Sequence, residues 1–91
     1  MLTLQYSAQY KRDRKRVIKR GFPMKQLEDV LKILIEEKPL DPKFNDHPLQ
    51  GNYIGFRECH IRPNWLLIYK IDKGKLILTA TRTGTHADLY E

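Results

Sequence analysis

The sequence predicts an α+β fold, with an N-terminal strand and a two-helix hairpin packed on a largely antiparallel sheet of four to five strands. Three observations predict it. Apolar residues recur at helical three- and four-residue steps only in the first part of the chain. From position 52 onward they alternate or run together in short segments, as strands do. Between the two lies a stretch rich in Pro, Asp, Asn and Gly that has neither period. Ninety-one residues is the length of one modest domain, so residues 1–91 are expected to fold as one unit.

Taken in order, Leu2, Leu4 and Tyr6 alternate with Thr3 and Gln5, which predicts a short first strand. Ser7 can cap a following helix, because its side-chain oxygen can accept from an amide of the first turn that has no other partner. That helix is expected over residues 8–20. Its inward stripe is thin, consisting of Tyr10, Val17 and Ile18 with Arg14 filling the spacing between them. Gly21 ends it, since glycine takes a left-handed conformation without steric cost. Pro23 suits the first position of a second helix. Met24, Leu27, Val30, Leu31, Leu34 and Ile35 then form a clear buried face, and Pro39 stops it. Residues 39–51 form a loop. Strand-like segments come next at 52–54, 55–62, 65–71 and 75–82, with turns at Arg62-Pro63-Asn64 and Asp72-Lys73-Gly74. Gly74 is expected to supply a positive φ in the second turn. Leu66, Leu67 and Ile68, and likewise Leu76, Ile77 and Leu78, are apolar without a break, which predicts strands covered on both faces.

Charge is the most informative bulk property. The net charge is +6, and residues 11–20 carry all of it: Lys11, Arg12, Arg14, Lys15, Arg16, Lys19 and Arg20 against the single acid Asp13. The rest of the chain holds ten bases and ten acids and is neutral overall. A basic stripe on a small domain is the footprint of a polyanionic partner, although a solvated helix face has the same composition. The longest apolar run is far too short to span a membrane. The single cysteine, Cys59, cannot form an internal disulfide. A cytoplasmic protein with no membrane contact is expected.

Three histidines are candidate proton carriers: His47 in the long loop, His60 in a strand and His86 after the last strand. Their spacing matches no zinc signature, and Cys59 and His60 point to opposite faces of a strand, so neither a metal nor any other cofactor is expected. On its strand His60 shares a face with Phe56, Glu58 and Arg62. Arg82 shares one with Leu76, Leu78 and Ala80, and Thr83-Gly84-Thr85 can turn the chain so that His86 reaches back toward Arg82. A histidine pair beside an arginine suits RNA cleavage by its own 2′-hydroxyl. One group takes the hydroxyl proton, one protonates the leaving 5′-oxygen, and the guanidinium balances charge on the phosphorane. Such chemistry needs no metal. Trp65 and Tyr90 can stack on unpaired bases, or can equally serve as packing residues.

Four blocks, taken together, resemble one known family. They are Asp46-His47-Pro48-Leu49-Gln50-Gly51, Phe56-Arg57-Glu58-Cys59-His60-Ile61, Asn64-Trp65-Leu66-Leu67-Ile68-Tyr69 and Arg82-Thr83-Gly84-Thr85-His86. In this order, with Pro39-Leu40-Asp41-Pro42 ahead of them, they look like the YafQ branch of the RelE toxin superfamily. The likeness is strong over residues 39–91 and general over the helix pair. It implies a RelE-like fold and a toxin of a type II toxin–antitoxin pair, cutting mRNA in the A site of the ribosomal 30S subunit. It also implies a cognate antitoxin protein as partner. His47, His60, Arg82 and His86 sit at the family's catalytic positions, with Asn64, Trp65 and Tyr90 toward the substrate. Tyr90 stands where the family has a phenylalanine, and Asn64 where it commonly has an aspartate. The basic helix, Lys11 to Arg20, would then hold ribosomal RNA. Which histidine is base and which acid is left open by these residues. A non-catalytic ParE-like toxin, or an RNA-binding module of the same fold, is the alternative.

Overall fold

The computed structural model describes residues 1–90. Strand β1 (Thr3–Tyr6) leads into helix α1 (Ala8–Lys19) and helix α2 (Met24–Ile35). A 3₁₀ turn (Pro42–Phe44), the two-residue strand β2 (His47–Pro48) and a second 3₁₀ turn (Gly51–Tyr53) make up the long connection. Strands β3 (Arg57–Arg62), β4 (Trp65–Asp72) and β5 (Ile77–Gly84) then form a meander that ends in the short helix α3 (His86–Tyr90). The sheet order is β1-β5-β4-β3-β2, with β1 parallel to β5 and every other pair antiparallel.

The helix signals act as expected at most ends. The Ser7 hydroxyl accepts from the Tyr10 amide at 2.9 Å, and Gly21 has φ +80° just past α1. Pro23 is the cap of α2 rather than its first residue. The stop comes before Pro39, at Glu37, whose φ is +58°. The α1 stripe differs in kind: Tyr10, Asp13 and Val17 are buried, whereas Arg14 and Ile18 are exposed. An acid, not an arginine, faces inward.

Three strand expectations are corrected. Residues 52–54 belong to a 3₁₀ turn, since the Tyr53 and Ile54 amides bond back to Gln50 and Gly51. The last strand begins two residues late and extends to Gly84. The positive φ of the preceding turn lies at Leu76, +56°, and not at Gly74. Leu76 is consequently exposed in the turn rather than covered in a strand.

Central strand β4 is buried on both faces, as its continuous apolar run predicts. Trp65, Leu67 and Tyr69 join the larger core with Tyr10, Val17, Leu27, Val30, Leu34, Cys59, Leu78 and Ala80. Leu66 and Ile68 face the other way and meet Leu89 of α3, flanked by Leu49, Tyr53 and Phe56. A five-residue helix is too short to be stable by itself. Burial of Leu89, worth ~2 kcal/mol, is part of what keeps α3 on the sheet.

Candidate active site

The site lies on the face of the sheet that carries the smaller cluster, and strand register explains how it is assembled. Directly paired residues on neighbouring antiparallel strands share a face. His47 pairs with Glu58, Glu58 with Ile68, and Ile68 with Arg82. One row across four strands therefore presents His47, Glu58 and Arg82 together. His60 pairs with Leu66, one step along the same face.

Arg82 reaches this face only because of a β-bulge. Simple alternation, as read from the sequence, would keep it on the face of Leu78 and Ala80, which the structure packs against the helices. Instead Tyr69 pairs with Ala80 while Ile68 pairs with Arg82, so Thr81 is an extra residue. A bulge shifts the parity of a strand and re-aims the side chains beyond it. Thr83 then falls on the core side, where its hydroxyl accepts from Trp65 Nε1 at 3.0 Å. A second bulge between His60 and Arg62 has the converse effect. Arg62 leaves the face of Glu58 and His60 and donates to Gln26 of α2 at 2.8 Å.

At the centre is a carboxylate. Glu58 is 6% exposed. Its Oε1 lies 3.3 Å from His47 Nε2 and 3.6 Å from His60 Nε2, and its Oε2 accepts from the Tyr90 hydroxyl. The two imidazole centroids are 6.2 Å apart. Loss of water around the Tyr90 hydroxyl, and then its bond to Glu58, raise that phenol above its ordinary range. Tyr90 as a residue is 40% exposed, and its ring lies 4.8 Å from the His86 ring, centroid to centroid. Tyr53 meets Tyr90 edge-on at 6.2 Å. One ring nitrogen each from His47 and His60 and one Glu58 carboxylate oxygen lie within 4.8 Å of one another, a nitrogen and oxygen donor set able to hold a divalent ion. Spacing along the chain could not show this, because the three donors come from two strands.

The supports of these groups are visible too. His47 is preceded by Asp46, whose carboxylate is pinned by the Tyr69 hydroxyl at 2.6 Å and by Arg57 at 3.3 Å. His86 opens α3, and its backbone amide donates to the Asn64 side-chain oxygen at 3.2 Å. Asn64 thus holds the helix bearing His86, a task its amide oxygen can perform as an aspartate would. Asp88 accepts from the Thr85 amide at 2.9 Å and from Arg20 at 2.6 and 3.2 Å, with Arg16 at 3.6 Å.

Of the residues expected at the site, His47, His60 and Tyr90 meet through Glu58, His86 lies tilted against Tyr90, and Arg82 joins the same row. Trp65 does not. It is 1% exposed and packs edge-on against Phe22, so it offers no ring face to a base. Of the seven bases, Arg16 and Arg20 are committed to Asp88, while Lys11, Arg12, Arg14, Lys15 and Lys19 are exposed and make no ion pair among the described residues. Sequence reasoning did not assign a role to Glu58, although its two-residue spacing from His60 was a usable signal. Tyr53 gave none, since its segment read as a strand.

The arrangement defines a class first: an α+β protein whose sheet presents an acid–base cluster suited to phosphodiester chemistry. Comparison with known proteins makes the class specific. Residues 2–91 match the family model of a bacterial toxin of type II toxin–antitoxin systems, YafQ. The mRNA interferase toxin YafQ of Escherichia coli K12 is 44% identical over 89 residues, 96% of this chain and 94% of that protein. A crystal structure of a metal-bound toxin from Helicobacter pylori matches with TM-score 0.93 at 43% identity, covering 99% of this chain and all of the other. YafQ in the E. coli DinJ–YafQ complex matches with TM-score 0.91 at 38% identity over the full length of both chains. The chain belongs to the YafQ family of type II toxins.

Proposed function

We propose that this toxin is an endoribonuclease that cleaves mRNA on the ribosome through attack of a 2′-hydroxyl on the adjacent phosphate. A base removes the 2′-hydroxyl proton as the 2′-oxygen bonds to phosphorus. The bond to the 5′-oxygen breaks, and an acid delivers a proton to that oxygen, leaving a 2′,3′-cyclic phosphate. His60, held by Glu58, and His86, set against Tyr90, are the acid–base pair. Arg82 balances the charge on the phosphorane, and His47 holds a phosphate oxygen from the far side of Glu58. Tyr90, which is partly exposed, stacks on a base. Trp65 acts behind the site, through Thr83, rather than on the substrate.

The observation that carries this reading is the row of His47, Glu58 and Arg82, with His60 beside it, on one face of the sheet. Relatives named as mRNA interferase toxins support the activity, and the DinJ–YafQ complex supports an antitoxin protein as partner. Residues 1–91 work as one toxin domain, and its target places it in the cytoplasm. No helix among the described residues is long and apolar enough to cross a membrane. The bases of α1 that are free of Asp88 face ribosomal RNA. His86→Ala tests the assignment: codon-aligned cleavage of ribosome-bound mRNA and growth arrest should both disappear, with the melting temperature nearly unchanged. Cleavage at the normal rate would remove His86 from the mechanism.

A further inference from the structure

Asp13 is the only acid of α1 and is fully buried, 0% exposed, on a helix whose other charges are all basic and exposed. A buried carboxylate is costly unless charge and hydrogen bonds compensate it. Here four donors do so. Arg82 Nε donates to Oδ2 at 2.7 Å and Arg82 Nη2 to Oδ1 at 3.3 Å. The Thr83 amide donates to Oδ2 at 3.2 Å and Gln9 Nε2 to Oδ1 at 3.0 Å. The first three come from the stretch just past the Thr81 bulge, where β5 has lost its β1 neighbour. Strand β1 pairs with β5 only from Ile77 to Ala80. The next open carbonyl, that of Thr81, is taken by the Ser7 hydroxyl at 2.7 Å.

We propose that Asp13 is a positioning residue for the cleavage reaction, acting on the transition state through Arg82. A guanidinium has two usable edges. Asp13 occupies the Nε/Nη2 edge, which fixes the plane and rotation of the group. Tyr53 is the guanidinium's other side-chain neighbour, and the Nη1/Nη2 edge is the one that meets a phosphate. Without that anchor the long side chain samples several rotamers, and part of its stabilisation of the phosphorane is spent on ordering it. The Asp13 bond also raises the Arg82 guanidinium above its already high range, so it stays a full cation. Helix α1 thereby has two tasks on two faces. Its exposed bases meet RNA, and its one buried acid sets the arginine that RNA reacts beside. The inference rests on the proposed nuclease activity for its meaning, but part of its test does not.

The test combines single-turnover cleavage of ribosome-bound mRNA with a double-mutant cycle. Asp13→Asn keeps the shape and an acceptor for the Thr83 amide but presents no charge to Arg82. The expected result is a ~10–100-fold fall in cleavage rate with ribosome affinity unchanged within about twofold. In an Arg82→Ala background the same Asp13→Asn change should lower the rate by less than about twofold. Equal losses in both backgrounds would mean that Asp13 is merely structural, and the proposal would fall. A second readout needs neither a variant nor activity: the Nε–H of Arg82 should give a slowly exchanging NMR signal in the unmodified toxin. A freely exchanging signal overturns the positioning role even if the protein folds well. Absence of any mRNA cleavage by the unmodified toxin, with a protected Arg82 Nε–H, would instead contradict the nuclease reading and leave the anchor standing.

Discussion

At the scale of single residues, Glu58 is the group on which the others converge, and it was legible only in part. Alternation along β3 correctly put Glu58 and His60 on one face. It could not say that His47, eleven positions earlier, would pair opposite Glu58, because a two-residue strand has no period to detect. Arg82 was assigned to the wrong face, since no residue at 80–82 announces a bulge. Trp65 was left open between base stacking and packing for another reason. Its indole is apolar with one polar atom, equally suited to a base or to a core with a partner for its N–H. The Thr83 hydroxyl is that partner. The role of Glu58 is open to measurement. Its carboxylate contributes to the raised titration of Tyr90, second to burial. Glu58→Gln should therefore bring Tyr90 ionisation down toward its ordinary range without reaching it, as read by tyrosinate absorbance. The same change should cut mRNA cleavage by at least ~10-fold, because two imidazoles lose the carboxylate they share.

At the scale of elements, α3 is the most dependent part of the structure. Five residues cannot hold a helix, so its place comes from Leu89 below and Asp88 at its start. Arg20 is the largest cause of the lowering of Asp88 to about 2, and the bonds from Thr85 add to it. The direction fixes the pH dependence. A carboxyl whose folded pKa lies below its unfolded value of 3.8 stabilises the fold fully above that value. The stabilisation is lost as pH falls from about 4 to about 2. Melting temperatures should decline through this window in the native toxin, and the Asp88→Asn variant should lack that component. The variant should also lose cleavage activity near neutral pH, because α3 carries His86. Sequence identified both helices from their period and the three long strands from alternation, apolar runs and turns, but α3 was too short to show a period. The α1 stripe failed at Asp13 and Arg14 because periodicity ranks side chains by polarity, and a buried ion pair inverts that ranking.

At the scale of the whole molecule, the net charge of +6 was the plainest feature of the sequence, yet its distribution in space was not. Seven clustered bases read as one RNA-binding stripe. The structure divides them, because Arg16 and Arg20 are drawn to Asp88 across 72 and 68 positions of chain. Five bases of α1 remain exposed and make no ion pair among the described residues, namely Lys11, Arg12, Arg14, Lys15 and Lys19. The two groups should respond differently to substitution. Neutralising Lys11, Arg14 and Lys15 together removes charges that, in the proposed function, face phosphates, and none that pairs with Asp88. Ribosome affinity should fall, and the slope of log affinity against log salt should flatten by about 0.7–0.9 for each phosphate no longer neutralised. The melting temperature and the cleavage rate at saturating ribosome should stay near normal. Arg20→Gln should do the reverse, lowering the melting temperature and the saturated rate while changing the salt slope little. Equal flattening of the salt slope by both variants would return Arg20 to the RNA-binding surface and make its bond to Asp88 incidental.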